Sequence, residues 1–205
     1  MRRGGVFSDL DQTAGRAKIR FDERIVKGYH GTSVERADSI IETGRFVPSR
    51  NDWDWLGHGI YFWEHAPLRA LQWARARYRH RAIVLEATIA LSSCLDLNDL
   101  RYTSAVRIAY DSLRDAYLSA RKPLPANRRK ARYLDCLVLN YLSTYILPEC
   151  ESIRAPFLEG EPIYEGSMLL SQSHIQLVVR AHSCILSGPK IVAQEVFDGF
   201  EFEIA

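Results

Sequence analysis

Tyr29-His30-Gly31-Thr32 and, further along, Gly57-His58-Gly59-Ile60-Tyr61-Phe62 are the words on which the reading of this chain turns. Each places polar groups at the edge of a short apolar run and puts glycine beside them. A glycine without a Cβ lets another group come close to the backbone, and both the N–H and the C=O of such a residue can be offered to a flat ligand. A few residues after the second word, Ala70-Leu71-Gln72-Trp73-Ala74 sets a large aromatic on a predicted helix.

Around these words the pattern alternates between strands and helices. Ile25 to His30 reads as a strand ending at Gly31. Thr32 or Ser33 caps a helix whose apolar face is Ala37, Ile40 and Ile41, stopped by Gly44 in a left-handed position. Gly59 to Trp63 is a second strand, Pro67 suits the first turn of the next helix, and Ala82 to Leu91 reads as a central strand. The middle is helical: Val106, Ala109, Tyr110, Leu113 and Tyr117 recur at helical spacing, as do Leu134, Leu137, Val138, Tyr141 and Ile146 before Pro148. Pro123-Leu124-Pro125 interrupts them with a basic connector. Strands return at His174 to Val179, Ser183 to Leu186 and, with gaps, Lys190 to Phe202. Strands, a helical block over about 104–148, then strands again predict an α+β fold with a split antiparallel sheet. Residues 1–20 carry no sustained pattern and read as a loose arm before a single domain over 21–205.

Composition bounds the function. The 205 residues suit one domain, and 47% apolar with 25% charged residues is ordinary for a globular protein. A net charge of +2 is too small to argue nucleic-acid binding from the whole chain. The cations are bunched, however: Arg75, Arg77, Arg79, His80 and Arg81 in one stretch, Arg121, Lys122, Arg128, Arg129, Lys130 and Arg132 in another. Each stretch reads as a solvated helix face or as a contact for a polyanion. Cys94, Cys136, Cys150 and Cys184 are far apart, without metal-ligand spacing, and Cys136 and Cys184 sit in apolar runs as reduced core residues. No metal site is expected. The basic start, Met1-Arg2-Arg3, is not followed by an apolar stretch, and no run of about 18 apolar residues occurs, so the expected location is cytoplasmic, with no membrane partner.

The order of His-Gly-Thr, Gly-Ile-Tyr-Phe, an aromatic on the next helix and a late apolar strand resembles the ADP-ribosyltransferase superfamily, its diphtheria-toxin and poly(ADP-ribose)-polymerase branch in particular. The likeness covers about 26–80 and, more weakly, 170–186. It implies NAD as co-substrate. His30 then matches the histidine that holds the adenosine-side ribose, and Gly31 the residue whose backbone pairs with the nicotinamide amide. Thr32 fits the small polar residue after that glycine. Tyr61 matches the tyrosine that packs on the nicotinamide ring, with Trp73 as the second stacking aromatic, making a sandwich. Taken alone, His30 reads as a core histidine; its spacing to Gly59–Phe62 and Trp73 is what turns it into a nucleotide-site residue.

The third motif departs from the family, which places a glutamate at the start of the late strand. Ser171-Gln172-Ser173-His174-Ile175-Gln176-Leu177-Val178-Val179 has no acid. Gln176 best fits the position, a His-Tyr-Gln variant, with Ser173 as the other register. His174 lies on the same strand face as Gln176 and would assist. Glutamine can hold ribose hydroxyls but carries no charge. Asp52, Asp54 and Glu64 read as surface or loop acids, or as a loop folding over the nucleotide. His58 reads equally as a turn residue, and Tyr164-Glu165-Gly166 as a loop near the acceptor.

The resemblance implies a mono-ADP-ribosyltransferase acting on a macromolecule, nucleic acid slightly favoured over protein by the basic stretches. A toxin or phage-defence effector, with an antitoxin or immunity protein as partner, is the biological setting that the likeness suggests. The alternatives are an inactive module that binds NAD or ADP-ribose and an RNA 2′-phosphotransferase-like enzyme. The latter needs inner-strand cations that Arg24, Arg45 and Arg180 do not supply as a pattern.

Overall fold

The computed structural model describes residues 24–128 and 131–198. The expected arm at 1–20, the end of the Lys190–Phe202 segment, and Arg129 and Lys130 lie outside them. The fold is α+β, a seven-stranded sheet with helices on both faces.

Strand β1 (Ile25–Ser33) runs on through the His-Gly-Thr word, three residues past the expected end, because it pairs over nine positions with β3 (Ala82–Ala90). Between them come α1 (Val34–Thr43), β2 (Ile60–Glu64) and α2 (Pro67–Tyr78). Gly44 closes α1 at φ 66°, the left-handed position that a glycine takes without strain. Pro67 occupies the first turn of α2, where its missing N–H costs nothing. Strand β4 (Cys94–Asp96) leads to α3 (Thr103–Ser119) and α4 (Tyr133–Tyr141), which continues as a wider π turn over Leu142–Ile146. Then follow β5 (Ser152–Phe157), β6 (His174–Val179), β7 (Lys190–Ile191) and the short α5 (Glu195–Asp198).

The strand order is β4-β5-β6-β2-β1-β3-β7. Four expectations need correction. The sheet is mixed, since β4 and β5 pair in parallel. Among the described residues Ala82–Ala90 is next to the edge, with the two-residue β7 outside it. Ser183–Leu186 does not form a strand: His182–Cys184 is a tight helical turn, and one bridge from Ile185 to Ile89 is all the pairing this stretch makes. The sheet is also connected rather than split. Its weakest interior seam is β1–β2, registered only at Gly28–Glu64 and Tyr29–Trp63, against five pairs between β2 and β6.

Alternation along the strands divides the core in two. Val26, Ile60, Phe62, Leu177 and Val179 point to the face covered by α1, where Ala37 and Ile40 join them. Tyr29, Tyr61, Trp63, Ile153 and Val178 point to the other face, where α2 covers one end and the helical block of α3 and α4 covers the rest. All four cysteines are free thiols buried in this core, and burial pushes Cys94 up to about 12 and the other three to about 11.

Candidate functional site

The site is built where the β1–β2 ladder gives out. Odd-numbered residues of β1 turn their backbone groups toward β2, as the bond from His65 N–H to the Lys27 carbonyl at 3.0 Å shows. After Tyr29–Trp63 the next such position is Gly31, beyond the last registered pair, so its N–H and C=O face the parting of the strands. The side-chain face of Gly31 lies against α2. A Cβ there would come within 2.4 Å of the Ala70 carbonyl oxygen, so glycine is required for the helix to sit directly on the strand.

His30 bridges the parting. Its Nδ1–H donates to the Tyr61 carbonyl at 2.8 Å, which leaves the lone pair on Nε2 when the ring is neutral. The imidazole packs edge-on to Phe46 at 5.3 Å and against Phe62 at 5.7 Å. Burial pushes its pKa below the usual histidine value, against the pull of the bond to Tyr61. Thr32 is buried on the same face of β1. Both side chains therefore lie on the α1 side of the sheet, opposite Tyr61 and Gln176.

Tyr61 holds the preceding turn. Its hydroxyl donates to the Gly57 carbonyl at 2.7 Å and accepts from Leu56 N–H at 2.9 Å. Burial raises the phenol far above its ordinary range, so it stays protonated. Gly57 is at φ 78°, and a Cβ there would meet Asn140 Oδ1 at 2.7 Å. Asn140 Oδ1 accepts from His58 N–H at 2.8 Å and from Arg180 at 3.1 Å, and Arg180 also donates to the His58 carbonyl at 3.0 Å. The Gly57-His58-Gly59 word is thus a clamped turn, tied to α4 and to the end of β6.

The remaining predicted residues meet on the helical-block face. Gln176 is the register partner of Trp63, and His174 follows two positions away on the same face. Trp73 packs on Trp63, ring centres 5.4 Å apart, so its stacking partner is Trp63, two residues beyond Tyr61. His174 lies 6.4 Å from Trp63 and stacks on Phe157 at 5.8 Å with the planes 18° apart. Its Nδ1–H donates to the Gln172 carbonyl at 2.8 Å, and burial lowers its pKa. The neutral ring therefore turns a lone pair on Nε2 inward, and that atom is buried with no hydrogen-bond partner. Nearby Trp63 Nε1 and Arg69 Nε are buried without partners as well. Arg69 is placed by a 2.8 Å ion pair to Glu159, whose carboxylate is 3.8 Å from His174 Nδ1. Two donors and one acceptor are left over in one neighbourhood of the core. Native proteins rarely leave such groups unsatisfied unless something else binds them.

Trp63, Arg69 and Glu159 were not legible as site residues. Trp63 alone had a signal, since it stands two residues from Tyr61 and so on the same strand face. Among the candidate acids, Glu64 is corrected outright. It is neither loop nor surface but ends β2 with its side chain 8% exposed, gripped at both oxygens by Arg154 at 2.6 and 2.8 Å. Asp54 closes a turn by accepting from Asn51 N–H at 3.0 Å, and Tyr164 is exposed in the β5–β6 loop. Among the described residues no group of three or more histidine, cysteine and acidic side chains is placed to hold a metal, and no helix is long and apolar enough to cross a membrane.

No protein-family model matches the chain, and no solved structure matches it. An uncharacterized protein of Methanocaldococcus jannaschii, MJ0359, is 30% identical over 87 residues, 42% of this chain. The match takes in 40% of that relative's length, so the chain spans about two fifths of the curated protein it resembles.

Proposed function

We propose that this protein is a mono-ADP-ribosyltransferase that takes ADP-ribose from NAD and passes it to a macromolecular acceptor. The observation that carries the reading is the adjacency of the three motif strands, β6-β2-β1, with the ladder between β1 and β2 ending just before Gly31. Gly31 offers a donor and an acceptor to the nicotinamide amide at that parting, and the His30 Nε2 lone pair serves a ribose hydroxyl. Trp63 and Trp73 supply ring faces for a cationic pyridinium, and Trp63 Nε1–H and Arg69 Nε–H are donors for ribose or phosphate oxygens. Gln176 positions the acceptor-side ribose without charge. In the transfer the bond from ribose C1′ to nicotinamide breaks, its electron pair leaving with neutral nicotinamide. The acceptor heteroatom bonds to C1′, and its proton passes to His174 Nε2. Positioning and electrostatics do most of this work, because the leaving group needs no acid.

The test is incubation with NAD labelled in the adenylate part, with protease- and nuclease-treated controls. Label should reach a macromolecule, and His174→Ala should slow transfer by about 100-fold, the low end of general-base contributions. Gln176→Glu should keep NAD binding and raise NAD hydrolysis. Absence of both NAD binding and turnover in the folded wild-type protein would overturn the reading. The neutral Gln176 favours one rival, a module that binds NAD without turnover. Binding with no release of nicotinamide in either the wild type or Gln176→Glu is its signature.

A further inference from the structure

We infer that a cavity of about 670 Å³ between α3, α4 and β5 receives a nucleobase of a single-stranded nucleic acid, the macromolecule that accepts ADP-ribose. The inference rests on the transferase reading and names its acceptor. The cavity is within the range of small-ligand sites and has their make-up, apolar walls with a few polar groups. Trp55, Tyr110 and Phe157 contribute rings from three separate parts of the chain, and Thr103, Arg107 and Asp135 are the polar groups. Flat aromatic walls select a flat guest, since every base has a π-face to stack.

Charge separates a nucleic acid from other aromatic guests. Three acids of this surface are paired: Asp111 and Asp115 with Arg114 at 2.7 and 2.9 Å, and Asp135, itself in the cavity wall, with Asn127 at 2.8 Å and Arg132 at 3.5 Å. Arg107 on α3 and Arg121, Lys122 and Arg128 on the connector are exposed. The Arg132 guanidinium lies 5.3 Å over the Trp55 ring, at the foot of α4. A base in the cavity would leave its phosphates beside Arg107, which lines the cavity, and Arg132, which covers its Trp55 wall. It must come from a single strand or be flipped out, because a base paired and stacked in a duplex has no free face to lay against these rings.

Position ties the cavity to the reaction. Phe157 is one of its walls and also stacks on His174, while Trp55 packs on Phe157 at 4.7 Å. The ring series Trp73, Trp63, His174, Phe157, Trp55 therefore runs from the proposed nicotinamide end to the acceptor pocket without a break.

Fluorescence anisotropy with labelled, mixed-sequence single-stranded DNA and RNA, and with duplex as control, tests this, alongside NAD hydrolysis by the same samples. The wild type should prefer single strands to duplex. Trp55→Ala should weaken that binding about ten-fold or more. Arg107→Glu, at an exposed position that does not threaten folding, should weaken it and flatten its salt dependence. Arg107→Glu should hydrolyse NAD as the wild type does. Unchanged affinity in Arg107→Glu and in folded Trp55→Ala overturns the pocket, as does NAD turnover with no oligonucleotide binding or with label passing only to protein. Single-strand binding that depends on Trp55 and Arg107, but with no NAD handling, keeps the pocket and discards the transferase.

Discussion

Two polar clusters sit back to back on the same strands, and they are finished differently. On the α1 face, Arg154 holds both oxygens of Glu64 and one of Asp96, while Asp96 also takes Arg24 at 2.9 Å and Asn98 at 3.0 Å. Burial pushes the Asp96 carboxyl up, but these bonds outweigh it and hold it below the usual range. On the opposite face, Trp63, Arg69 and His174 bring three buried polar atoms together and leave all three without partners. Trp63 and Glu64 are sequence neighbours, so one residue of strand register separates the two arrangements. The first cluster is complete as folded, which marks it as structural. The second has bonds still to make, and it is where the proposed function puts the ligand.

Substitutions that treat the two clusters alike should therefore give opposite results. The largest effect is expected from Arg154→Met, which strands the Glu64 carboxylate in the core and should cost about 3–5 kcal/mol in urea unfolding. Adding Glu64→Gln should recover part of it. A loss below about 1 kcal/mol for the single change would mean that the cluster is not the structural one.

Trp63→Phe should behave in the reverse sense. It removes an N–H that has no partner, so unfolding should change by no more than about 1 kcal/mol, while NAD affinity falls by about 1–3 kcal/mol because a donor to the ligand is gone. Denaturation and titration calorimetry on one preparation would show both. A large loss of stability with unaltered affinity would make the second cluster structural too, and the contrast would vanish.

The smallest effect is the pH dependence of stability. His30 and His174 both have pKa values lowered chiefly by burial. The unfolded chain thus binds protons that the native one refuses. Their contribution is present above the unfolded histidine value of about 6.5 and is lost as pH falls below it toward the folded values. The melting temperature should hold steady from weakly alkaline to neutral pH and decline toward pH 5.5, by about 2–4 °C per kcal/mol lost. His174→Gln should flatten part of that decline. A melting temperature that rises on acidification would show that at least one ring is charged in the native state.

The pattern of residues carried the element order well. Helical spacing marked α3 and α4, Gly44 and Pro67 marked their helix ends, and His174–Val179 is a strand with His174 and Gln176 on one face, because these features depend on neighbours in sequence. Non-local pairing was beyond it. Nothing in Cys94–Asp96 announces a parallel partner at Ser152–Arg154, and Ser183–Leu186 has strand composition but finds only one bridge. Strand propensity states what a segment tolerates, and the partner decides what it becomes.

The candidate site divides along the same line. Its words, His30-Gly31 and Tyr61, could be read because each is a local motif, and Gln176 could be read from its place in a strand. Which of them face each other could not. Register sends His30 and Thr32 to one face and Tyr61, Trp63, Gln176 and His174 to the other, and the early end of the β1–β2 ladder leaves the Gly31 N–H and C=O at the parting between them. Arg69 and Glu159 are brought beside His174 from a helix and a loop far apart in the chain. Whether a buried polar atom finds a partner depends on every segment that folds around it. The sequence could name Trp63 and Glu64 as neighbours, but only the tertiary structure could leave one unsatisfied and complete the other.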